Sequence, residues 1–171
     1  KAGHVIGSSN NTFIGTLAGF GSTNGYDNVF VGSNAGSNCT IGNNNVFVGN
    51  EAGKSNSTGS GAIIVGNYDA AGTQHNNFVA IGKDVDVTGN TAVRIGYDTG
   101  SCGMNSVSIG KNTQCAGTDA IRIGGAGSCG NNSISIGVNS ICNDNGVRIG
   151  SGAGSCGNDS ISLGNSTICA G

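Results

Sequence analysis

The chain has 171 residues, one domain's worth, with 34 glycines, no proline or tryptophan, and only 9% charged residues. Its net charge of −2 leaves no basic footprint for nucleic acid, and no run is long or apolar enough to span a bilayer. Seven cysteines in so small a chain lean towards an oxidising compartment.

The chain opens at Lys1 without an initiator Met or a signal sequence, as expected of a mature product or a piece of something longer. A short phrase then recurs: Val5-Ile6-Gly7, Phe13-Ile14-Gly15, Val29-Phe30-Val31-Gly32, Val46-Phe47-Val48-Gly49, Ile63-Ile64-Val65-Gly66 and Val79-Ala80-Ile81-Gly82. From Gly15 the closing glycines step by 17, 17, 17 and 16. Small turns follow at Ala18-Gly19, Ala35-Gly36 and Ala52-Gly53, with polar tips between the units.

Beyond residue 82 the step tightens. The phrase reads AVRIG, SVSIG, AIRIG, SISIG, GVRIG and SISLG, closing at Gly96, Gly110, Gly124, Gly137, Gly150 and Gly164. Cys102, Cys115, Cys129, Cys142, Cys156 and Cys169 keep the same period, each five or six residues past its glycine. Two markers sharing one period define a repeat architecture. We divide it into a long-coil part, residues 1–82, and a short-coil, cysteine-containing part, residues 83–171, of one solenoid.

A step of 13 to 17 residues is too short for a strand plus a helix. β-branched phrases ended by glycine are strands ended by turns, and two such strands with two turns fill a coil. Stacked coils make an all-β parallel β-solenoid, each coil about 4.8 Å from the next. Asn28, Asn45, Asn77, Asn105, Asn132 and Asn158 recur just before the strands, where stacked amides can form ladders.

Alternation then sorts the columns. Val93/Ile95, Val107/Ile109, Ile121/Ile123, Ile134/Ile136, Val147/Ile149 and Ile161/Leu163 are expected to point inwards. Arg94, Ser108, Arg122, Ser135, Arg148 and Ser162 then form an outward polar ladder, either a solvated face spaced to avoid self-repulsion or a binding stripe. In the long coils that column reads Phe13, Phe30, Phe47 and Ile64. An aromatic ladder in water would be a large apolar patch, so these four are candidates for a subunit interface, unless the chain's own loops cover them.

Successive cysteines one coil apart lie within disulfide range, giving 102–115, 129–142 and 156–169 as candidate pairs. A column of reduced, buried thiols is the competing reading. Cys39, outside the series, is either unpaired or paired between chains. His4 and His75 have no catalytic neighbour at a diagnostic spacing. Asp84 and Asp86 share a face opposite Val85 and Val87, but two carboxylates leave most of a Ca²⁺ shell unfilled. No enzyme activity, cofactor or metal is expected. Six-residue spacings such as Ile109 to Cys115 keep a hexapeptide-type acyltransferase as a remote alternative, and an ice-binding solenoid is another. Sequons begin at Asn10, Asn38, Asn56, Asn131, Asn158 and Asn165, a weak signal in a chain of this composition.

SVSIGKNTQCAGTDAIRIG (106–124) and SISIGVNSICNDNGVRIG (133–150) resemble the head repeats of YadA-type trimeric autotransporter adhesins. NTFIGTLAGFGSTNGYDNVFVGSNAG (11–36) is similar to repeats of phage-type trimeric tail fibres. The resemblance implies a left-handed β-roll, three chains side by side, displayed on a cell or virion surface and used for attachment. It makes the chain its own principal partner, as trimer or filament subunit, with a cell-surface receptor or glycan as a second partner and no membrane insertion. The heads usually carry Ala where this chain has its cysteine column.

Overall fold

The structure, a computed structural model, describes residues 9–67, 75–87, 89–100, 103–114, 117–125, 127, 129–152, 154 and 157–167. The described residues are all-β, and the chain falls into two compact units, Lys1–Val87 and Thr88–Gly171. Each is a parallel β-solenoid. The first carries β1 (Thr12–Ile14), β2 (Val29–Val31), β3 (Val46–Val48), β4 (Ile63–Val65) and β5 (Val79–Lys83). The second carries β6 (Val93–Tyr97), β7 (Val107–Lys111), β8 (Ile121–Ile123), β9 (Ile134–Ile136), β10 (Val147–Ile149) and β11 (Ile161–Leu163).

Within each unit every strand pairs in parallel with the next, at the register the repeat demands. Phe13 lies on Phe30 and Phe30 on Phe47; Ile109 lies on Ile123, and Ile123 on Ile136. The ladder continues past the strand ends, with Val107 N–H donating to Ala120 O at 2.9 Å and Gly124 N–H to Ile109 O at 2.9 Å. Among the described residues each coil carries one strand, not two. The pairing outside these strands is, among the same residues, the parallel bridge Cys129–Cys142.

The corners are built on positive φ. The glycine closing each strand adopts it because the next coil lies directly underneath: at Gly110, φ +139°, a Cβ would collide with the carbonyl oxygen of Gly124. Asn and Asp take most of the left-handed positions elsewhere, as at Asn44, Asn105, Asp119 and Asn145.

The expected phase of the alternation is inverted. The middle residue of the strand phrase points into the coil, and the two β-branched residues beside it point out. Phe30, Phe47, Ile64, Arg94, Ser108, Arg122, Ser135 and Arg148 are all at 0% exposure, and Ser162 at 6%. The four interface candidates are therefore core residues, apart from half-buried Phe13. Their own turns cover them. A Cβ on Gly36 would meet the Phe30 ring, and one on Gly53 the Phe47 ring, so each Ala-Gly turn is small because an aromatic ring lies against it. The rings stack down the long coils, with centroids 5.1 Å apart from Phe13 to Phe30 and 4.8 Å from Phe30 to Phe47.

Candidate functional site

Two arrangements carry chemistry, one outside and one inside. The outer one follows from the inverted phase. In the second unit Val93/Ile95, Val107/Ile109, Ile121/Ile123, Ile134/Ile136, Val147/Ile149 and Ile161/Leu163 form two parallel columns of aliphatic side chains on the sheet's outer face. None is buried, and exposure reaches 43% at Ile149 and 72% at Ile161. The first unit repeats the pattern with Val29/Val31, Val46/Val48, Ile63/Val65 and Val79/Ile81. At one strand spacing per coil, the strip in the second unit runs about 24 Å across five spacings and about 7 Å between columns.

The inner arrangement of the second unit is polar. Arg94 donates from Nη1 to Val93 O at 2.9 Å and to Ser106 O at 3.1 Å, and from Nη2 to Ser106 Oγ at 3.0 Å. Arg122 donates from Nη1 to Ser135 Oγ at 2.7 Å and from Nη2 to Gly125 O at 2.6 Å. Arg148 donates from Nε to Ile141 O at 3.2 Å. The outward polar ladder expected from the sequence is thus an interior column. Its alternation is a packing device: a guanidinium too large for its own layer borrows room from the small serine layer next to it. Gly127 is part of the same fit, since a Cβ there would lie 2.8 Å from Arg122 Nη2.

Cys129 and Cys142 lie beside this column, with Arg148 in electrostatic reach of Cys142. Cys129 and Cys142 are 2% and 3% exposed, in register on adjacent coils, and both are thiols with no disulfide between them. The reduced, buried reading holds for this pair, because a thiol is a small apolar filler in a closed layer. Cys129 Sγ donates to Ile121 O at 3.6 Å, and a Cβ on Gly146 would meet Cys142 Sγ at 2.9 Å. Burial pushes the Cys142 thiol up; neighbouring Cys129 adds to this and the Arg148 charge opposes it. Cys102, Cys115, Cys156 and Cys169, with their pairings, lie outside the described residues, as does His4.

In the first unit the interior polar column is amide. Asn28 Nδ2 donates to Gly42 O at 2.8 Å and Asn45 Nδ2 to Gly59 O at 2.9 Å. Asn28 Oδ1 accepts from Asn45 N–H, and Asn45 Oδ1 from Ala62 N–H, both at 2.9 Å. Asn105 and Asn132 form a separate, exposed ladder: Asn105 Nδ2 donates to Asp119 Oδ1 at 2.9 Å and Asn132 Nδ2 to Asn145 Oδ1 at 3.2 Å. Cys39 is a fully buried thiol, and burial raises its pKa from 9.0 to about 11. Asp84 pairs with Lys83 at 3.3 Å on the surface while Val85 and Val87 are buried, as the alternation there predicts. Among the described residues no three His, Cys, Asp or Glu side chains converge for a metal ion.

No family model, no curated protein and no solved structure matches the chain.

Proposed function

We propose that the chain is a non-enzymatic structural or attachment element of an oligomeric extracellular fibre, assembled from copies of itself through the outward aliphatic strip. The observation that carries this reading is the pair of Val/Ile columns left half-exposed over every strand of the second unit from β6 to β11. In the first unit β2 to β4 are apolar on both faces, with Phe30, Phe47 and Ile64 inside, and strands of that kind belong to sheets covered on both. Scattered single apolar side chains are ordinary on a surface, but two unbroken columns form a contiguous apolar patch, the kind that serves association. A second copy is the natural cover, because identical repeats present the same spacing to each other. The resemblance to YadA-type heads makes three the expected number of copies and surface attachment the expected role. A receptor or glycan is then the partner at the far end of the task, engaged through several copies at once.

Sedimentation velocity on the intact chain tests this. A discrete trimer is expected, becoming monomeric in the triple variant Ile109→Asp/Ile123→Asp/Ile136→Asp with an unchanged far-ultraviolet spectrum. A wild-type chain that stays monomeric at micromolar concentration would overturn the reading. Open-ended polymers in micrographs would replace the trimer with a filament subunit.

A further inference from the structure

We propose that Cys129 and Cys142, with Arg148 beside them, form a two-coordinate site for a soft monovalent cation of the copper(I) or silver(I) kind. Three observations converge. The two residues are bridged in parallel register, so their side chains belong to one column and are separated by one coil, about 4.8 Å. Both are buried, at 2% and 3% exposure. A fully buried guanidinium sits against the segment that carries Cys142, through the Arg148 Nε to Ile141 O hydrogen bond at 3.2 Å.

The charge count selects the cation. Two R–SH groups and M⁺ give [RS–M–SR]⁻ and 2 H⁺. Each S–H bond breaks with its electron pair left on sulfur, those pairs form the two M–S bonds, and the protons leave to solvent. No oxidation state changes. The complex carries one negative charge, which the guanidinium offsets in place, and buried charges persist where they are paired or coordinate metal. Thiolate is the soft donor that favours copper(I). Zinc would form a neutral pair with two thiolates and lack the other two ligands of its tetrahedron. The sequence keeps the same proportion throughout the short coils: three arginines, Arg94, Arg122 and Arg148, for six cysteines.

The experiment uses the full chain with silver(I) nitrate, then copper(I) under anaerobic conditions, with zinc(II) as control. Bound ions are counted by native mass spectrometry after an excess-glutathione wash. The Cys129→Ala/Cys142→Ala variant is expected to hold one silver ion fewer than wild type. Arg148→Met, with both thiols kept, is expected to bind at this site at least tenfold more weakly. Wild-type protein alone supplies a second readout. The tryptic fragment 123–148 contains Cys129 and Cys142 and no other cysteine. In mild denaturant, silver should protect both from alkylation together. Equal ion counts in wild type and double variant, equal labelling of fragment 123–148 with and without silver, zinc uptake by the same pair, or a disulfide within that fragment would each overturn the proposal.

Discussion

Arg122 reaches out of its own coil to Ser135 in the next, and its Nη1 donates to the serine hydroxyl at 2.7 Å. The side chain fills two layers at once, so volume and charge can be separated by substitution. Arg122→Ala should cost about 2–4 kcal/mol, the usual range for emptying a core position. Arg122→Met keeps most of the volume and removes the buried charge, and should be near wild type or more stable. Ser135→Arg puts guanidinium groups in adjacent layers and should prevent folding. Urea denaturation reads all three; a Met variant weaker than the Ala variant would show that hydrogen bonding, not filling, dominates.

The direction of the side chains gives a paired test. Ile109 and Ser108 are neighbours in β7, one half-exposed and one fully buried. Ile109→Asp should leave the fold of the isolated chain within about 1 kcal/mol of wild type, as surface changes do. Ser108→Asp buries a carboxylate and should cost more than about 4 kcal/mol. Thermal unfolding followed by circular dichroism distinguishes them, and equal losses would restore the opposite phase.

The Asn45 amide holds two coils together by bonding Gly59 O and accepting from Ala62 N–H. Asn45→Ala strands two buried backbone groups at roughly 1–3 kcal/mol apiece, so a loss of about 2–6 kcal/mol is expected. Amide exchange at Ala62 should accelerate in the same variant, tying the loss to that hydrogen bond.

Cys39 sets a pH dependence. Its folded pKa, about 11, lies above the ordinary 9.0, so folding favours the protonated thiol. The stability it contributes is fully present below pH 9 and is lost as pH rises through 11, roughly 2–3 kcal/mol at the limit. Cys39→Ala should flatten the unfolding free energy over that window; a variant with the wild-type slope would assign the loss to other groups.

The strands and their stacking were legible in the sequence because a repeat states its own register: once Val-x-Ile-Gly recurs at a fixed step, Ile109 and Ile123 must be neighbours. The phase was not legible from hydropathy, since Val-Arg-Ile reads as apolar outside a polar centre whichever side is interior. A cue did exist in size. The central column alternates large and small, Arg122 beside Ser135, while the flanking columns stay uniformly β-branched. Alternating volumes belong to a confined layer and uniform ones to an open face. The Ala-Gly turns carried the same message, because Gly53, besides its φ of +59°, leaves room for the Phe47 ring that a Cβ there would meet.

The aliphatic strip repeats at every coil, so a partner displaced along it by one coil regains nearly all its contacts. In the proposed assembly affinity and alignment are therefore separate problems: the columns would supply the first and say little about the second. What locks one alignment must come from the exceptions, such as Thr12 at the head of the first unit's column and Leu163 in β11, where sliding exchanges unlike side chains.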